Sequence, residues 1–197
     1  MRNLVKLFCI TTFLFLGFRL AAQNLEFTLR YNEIADQYEV YGLPDGSNPF
    51  YFVGGGSQIS LVLPSSVADF PLAITTVNGG LWTDNSRIFA PAADPAHDFH
   101  AIASNGSGIN LVAGQEILLY TFKLTTPGCI DGLRLFENSS DPQSTDAGMN
   151  GGDFNNFFPD LFTFADGYNG NYDNSGCLLY TSPSPRDQRG SRMPSSA

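Results

Sequence analysis

The stretch "EILLYTFKL", Glu116 to Leu124, decides the fold class. Leu118, Tyr120, Phe122 and Leu124 alternate with Ile117, Leu119, Thr121 and Lys123, which is the period of two of a β-strand. Both sides are apolar over most of its length, so it reads as a central strand covered on both faces. A turn signal, Pro127-Gly128, follows it closely.

Working outward, the same period recurs at short intervals. In "LEFTLRY", Leu25, Phe27, Leu29 and Tyr31 share one face, while Glu26, Thr28 and Arg30 share the other. "QYEVYGL" comes after the polar "NEIAD", which predicts a hairpin. "SQISLVLP" places Ile59, Leu61 and Leu63 on one side and stops at Pro64. "NPFYFVGGG", "PLAITTV", "RIFAP", "DFHAIAS" and "GLRLFEN" are further strand candidates, separated by Gly, Asn, Asp and Pro. No window carries apolar residues at helical spacing. The reading is all-β, an antiparallel β-sandwich of the cohesin-like or Ig-like kind. Its core is expected to hold Phe27, Leu29, Leu61, Leu63, Leu118, Tyr120, Phe122 and Leu135 on facing sheets. Residues 138–176 shift to Asp, Asn, Gly and Phe. They read as a long structured loop anchored by Phe154, Phe157, Phe158, Phe162 and Phe164, with a last strand near Leu161 to Phe164.

The two ends of the chain differ from this middle. "MRNLVKLFCITTFLFLGFRLAAQ" has Arg2 and Lys6, an apolar run from Leu7 to Phe18, and then Ala21-Ala22-Gln23. That is the layout of a signal peptide over residues 1–22, cleaved after Ala22. The apolar run is too short to cross a bilayer, so no membrane span is expected once it is removed. Cys9 lies inside the run without a lipoprotein cleavage box. At the other end, "CLLYTSPSPRD" and "SRMPSSA" resemble, codon by codon, the two parts of a transposase-type sequencing-library adapter, with Gln188-Arg189-Gly190 filling the place of an index. The resemblance implies that residues 177–197 are not native, that the β-sandwich domain is residues 23–176, and that Cys129 has no native partner in Cys177.

Charge narrows the partners. Of the 19 acidic residues only Asp187 lies beyond Gly176, and the only basic residues from Gln23 to Gly176 are Arg30, Arg87, Lys123 and Arg134. The formal charge of that part, −14, therefore exceeds the −9 of the whole chain. Such a surface repels nucleic acid and anionic membranes.

Four groups of residues carry candidate chemistry. "DPAHDFH" gathers Asp94, His97, Asp98 and His100, but at no closed zinc spacing, and turn chemistry accounts for it. "DPQSTDAGMNGGDFNN" offers hard oxygen donors suited to calcium: Asp141, Asp146, Asp153, Asn155 and Asn156. Asn169, Asn171 and Asp173 take positions one, three and five of an EF-hand-like loop that has Asn174 where glycine belongs. The same residues also supply turns without any ion. Trp82 and Tyr51, with Tyr41 and Phe50, could form a sugar-stacking platform or pack in the core. Gly54-Gly55-Gly56 lacks the Lys-Ser/Thr of a phosphate loop, and no nucleophile elbow, HExxH or Cys-His pair is visible.

"YEVYG", "GGGSQISLVLPSS", "TTVNGG.W", "APAADPAHDFH" and "LRLFENSSDP…GMNGGDFNN" resemble a recurring N-terminal domain of long secreted proteins of Bacteroidota-type bacteria. "GQEILLYTFKL" is fainter in its likeness to cohesin sandwiches. The resemblance spans about Asn24 to Gly176. It implies further extracellular modules and a type IX sorting signal, and it brings no catalytic residues. The expected function is that of a non-catalytic extracellular module for adhesion, binding carbohydrate or a surface protein. The alternative is an accessory domain of a secreted hydrolase.

Overall fold

The computed structural model describes residues 24–45, 56–106, 109, 111–159, 165–174 and 176–177. Nine strands succeed one another: β1 (Leu25–Asn32), β2 (Gln37–Pro44), β3 (Gln58–Pro64), β4 (Ile74–Thr76), β5 (Trp82–Ile88), β6 (His97–Ser104), β7 (Ile117–Phe122), β8 (Arg134–Leu135) and β9 (Tyr168–Asn171). They form a five-stranded sheet in the order β4-β7-β2-β1-β9 and a four-stranded sheet in the order β5-β6-β3-β8. Every pairing among these strands is antiparallel except β1 with β9. The chain is an all-β sandwich, and no helix occurs among the described residues.

Alternation in the sequence becomes burial between the sheets. Phe27, Leu29, Val40, Ile59, Leu61, Ile102, Tyr120 and Leu135 have no exposed surface, and Phe122 is 1% exposed. Each such side chain contributes about 1.5–3 kcal/mol relative to staying in water. Tyr120 also ties the sheets together, its hydroxyl donating to the carbonyl of Ile59 at 3.1 Å.

Leu118 departs from the expected core. It is half-buried, and its neighbour Leu119 is the fully buried residue. The cause is a bulge: Val40 faces Tyr120 while Tyr41 faces Leu118, so Leu119 is an extra residue on β7. One inserted residue reverses which side chains point inward on its far side. The carbonyl of Leu119 is satisfied by the amides of Val77 and Asn78, and that of Leu118 by the Asn78 side chain.

The second sheet is covered on its outer face as well. Val62, Phe99 and Ala101 point away from the sandwich and meet Phe136, Met149 and Phe154. Phe99, Phe136 and Phe154 lie with ring centroids 5.8–6.4 Å apart. The Asp- and Asn-rich loop therefore has an apolar underside and its own small core. It crosses the Pro91-Ala92 turn at Gly148, whose φ is +84° and where a Cβ would come within 2.5 Å of the Ala92 nitrogen. No other residue fits that crossing. Phe158 packs in the main core, whereas Phe157 is 38% exposed. Phe162, Phe164 and the strand expected at Leu161 to Phe164 lie outside the described residues, as does "NPFYFV".

Cys129 does not stand alone. It is disulfide-bonded to Cys177, 48 positions further along the chain, with Cα atoms 5.5 Å apart. The approach is set by the preceding segment, where Asn174 grips Leu135 and the Gly176 amide donates to the Leu133 carbonyl at 3.0 Å. The signal-like segment 1–22 and residues 178–197 lie outside the described residues. Among the described residues no helix is long and apolar enough to cross a membrane.

Candidate ligand-binding cleft

The asparagines of the C-terminal third do a specific job. The Asn156 side chain accepts from the Ser60 amide at 2.8 Å and donates to the Phe136 carbonyl at 2.6 Å, so it stands in for a peptide group between β3 and the end of β8. Asn138 does the same for the main chain of Asn156, at 2.7 and 2.9 Å. Asn174 does it for Leu135, at 2.8 and 3.1 Å. A primary amide has the donor and acceptor geometry of a peptide, so it can complete a sheet edge that a two-residue strand leaves open.

These amides hold the walls of an open polar cleft. One groove, of about 540 Å³, is lined by Glu137, Asn138, Ser139, Asp166, Tyr168 and Asn169, together with Gly170 and Asn171. A second, of about 420 Å³, shares Asn138 and Asp166 with it and runs past Gln58, Asp153, Asn155 and Phe157. Among the described residues no lysine or arginine lines either groove. Asp166 Oδ1 accepts from the amides of Phe158 and Tyr168 at 3.0 and 2.9 Å. Asp153 Oδ1 accepts from the Asn155 amide and side chain at 3.0 and 2.9 Å. The Tyr168 ring stacks on Phe27 at 5.4 Å with planes 17° apart, and burial raises its hydroxyl pKa. Phe157 offers the second aromatic surface.

The calcium candidates do not converge. Asp141 is buried and gives both oxygens to Arg134, at 2.7 and 2.6 Å, and it also accepts from the Glu137 amide. Its carboxylate is committed to a guanidinium, which is the reverse of a cation ligand. Asp146 closes a turn on the Gln143 amide at 2.7 Å. Asp153 and Asn155 bond to one another in the cleft wall. Among the described residues no three acidic, histidine or cysteine side chains gather as a metal site. Of the EF-hand-like spacing, Asn169 and Asn171 belong to strand β9, which extends β1 in parallel, and the Asp173 carbonyl accepts from Thr28.

Trp82 is corrected from platform to core. It is 1% exposed, tilted against Tyr120, and its indole N–H donates to the Asn78 carbonyl at 2.7 Å. Tyr41 lies under the Arg30 guanidinium at 5.2 Å, and Arg30 in turn holds Glu116. Tyr51 and Phe50 lie outside the described residues. The two histidines part company. His97 pairs with Asp94 at 2.8 Å, whereas buried His100 faces Asp84 at 2.9 Å, where Asp84 also accepts from the Leu72 amide. Asp98 turns to the Ala90 amide, and its burial raises its pKa.

Sequence reasoning missed Asp166 and Tyr168 as wall residues and valued Phe157 only as an anchor. The usable signal was the density of asparagine beside exposed aromatics. Compared with family models, curated proteins and solved structures, the chain matches none.

Proposed function

We propose that the chain is a non-catalytic extracellular binding module of a secreted or surface protein, holding a carbohydrate or surface-protein ligand. The observation that carries this reading is the open polar cleft between residues 137–139, 153–157 and 166–171. Its acidic side chains Asp153 and Asp166 spend an oxygen on local main-chain amides, which fixes them as acceptors for a ligand. The one deeply buried His–Asp pair among the described residues, His100 with Asp84, has both side chains 2% exposed and is closed to a substrate. The signal-like N-terminus supports an extracytoplasmic setting. The strongly acidic composition supports a partner other than nucleic acid.

The test incubates the purified, fluorescently labelled chain with bacterial cells and with insoluble polysaccharides. Saturable, reversible binding without release of new reducing ends is expected. Turnover, or the absence of binding to every surface, overturns the reading.

A further inference from the structure

We propose that the cleft is a subsite for a neutral oligosaccharide, with Tyr168 and Phe157 as its stacking surfaces; this rests on the binding-module reading above. The first argument is charge. The walls carry Glu137, Asp153 and Asp166 and, among the described residues, no cationic side chain, so an anionic ligand is repelled. The second is hydrogen-bonding chemistry. Carboxylate oxygens accept and amides both donate and accept, which matches hydroxyl groups that do both. Asn169 is exposed, with no side-chain hydrogen bond among the described residues, and stands in the wall of the first groove.

The third argument is the arrangement of the rings. Tyr168 has one face against Phe27 and lines the first groove, so its position is set before a ligand arrives. An immobilised ring loses little freedom on binding. Phe157 lines the adjoining groove and is 38% exposed, while its main chain is locked to that of Gln58 by two hydrogen bonds of 2.7 and 2.9 Å. The two grooves meet at Asn138 and Asp166. A chain of sugar rings, each with an apolar CH face and a hydroxyl rim, fits two aromatic surfaces joined by a polar waist. The space is within the range of small-ligand sites, about 300–1,000 Å³.

The experiment titrates the full chain with neutral hexasaccharides of glucose, xylose and mannose by calorimetry, beside the cell-binding assay. Saturable binding of at least one hexasaccharide is expected. It should weaken about tenfold in Phe157→Ala, comparable to losing one aromatic contact, and measurably in Asn169→Ala. Asn169 is exposed with no side-chain hydrogen bond among the described residues, so Asn169→Ala should keep the parent melting temperature. Phe157 is 38% exposed, and the melting temperature of Phe157→Ala is measured beside its binding, so that loss of fold and loss of stacking are told apart. Failure of every hexasaccharide to bind while cell binding persists unchanged in both variants overturns the cleft proposal and leaves the module reading standing. Failure of the parent chain to bind any hexasaccharide, any cell and any insoluble polysaccharide overturns both. Binding that appears only with added calcium and is indifferent to the two variants also overturns the cleft proposal.

Discussion

Asn156 completes the sheet beside Ser60 with its side chain: its Oδ1 accepts the Ser60 amide at 2.8 Å, at a point where β8 is too short to supply a partner. Both groups are buried, and Nδ2 is used on Phe136. Asn156→Ala is therefore expected to destabilise the chain by about 1–3 kcal/mol, the range for stranding a buried polar group. Hydrogen exchange at the Ser60 amide should accelerate in the same variant. Unchanged protection there would show that water or another group replaces the amide.

The β7 bulge makes a paired prediction. Leu119→Ala should cost about 2–5 kcal/mol in urea denaturation, and Leu118→Ala clearly less, because only the former empties a fully buried site. Phe122→Ala should cost about 3–5 kcal/mol. Equal losses at Leu118 and Leu119 would mean that the strand runs through without the extra residue.

Reduction of Cys129–Cys177, or Cys129→Ser, should lower stability by about 3–5 kcal/mol, as expected for releasing a loop of this length. Independent sequencing of the gene beyond Gly176 decides whether that bond is native. The adapter resemblance expects other residues from position 177 onward. A cysteine encoded at 177 in an independent read would overturn the adapter reading and leave the disulfide native.

Glu116 supplies a pH dependence. Its hydrogen bonds from Arg30 hold its carboxyl below the ordinary value of 4.5. A carboxyl lowered by folding stabilises the fold fully above its unfolded pKa, and the contribution fades as pH falls through the folded value. The pair is partly exposed, so the effect should stay under about 1 kcal/mol. The stability gap between the parent and Glu116→Gln should be constant above about pH 5 and close below about 4.5. A gap that does not narrow at all as pH falls below about 4.5 would exclude the ion pair as its source.

The strand pattern was written locally. Period-two apolar runs at Leu25–Tyr31, Gln58–Pro64 and Glu116–Leu124 specify β-structure because a strand's side chains alternate whatever it pairs with. That is why the sandwich and most of its core, from Phe27 to Phe122, were legible in the residues alone. Pairing partners are not local. The bulge at Leu119 depends on the residues opposite it on β2, and the parallel addition of β9 to β1 joins segments about 140 residues apart. Composition identified the Asn/Asp-rich stretch as important but could not assign its work. A given Asn can bind an ion, turn the chain or replace a peptide, and only the approach of Ser60, Phe136 and Leu135 chooses the last for Asn156 and Asn174. Likewise Trp82, Tyr168 and Phe157 are equivalent to a reader of sequence. Burial places the first in the core, and the meeting of β9 with residues 137–139 and 153–157 puts the other two on a cleft.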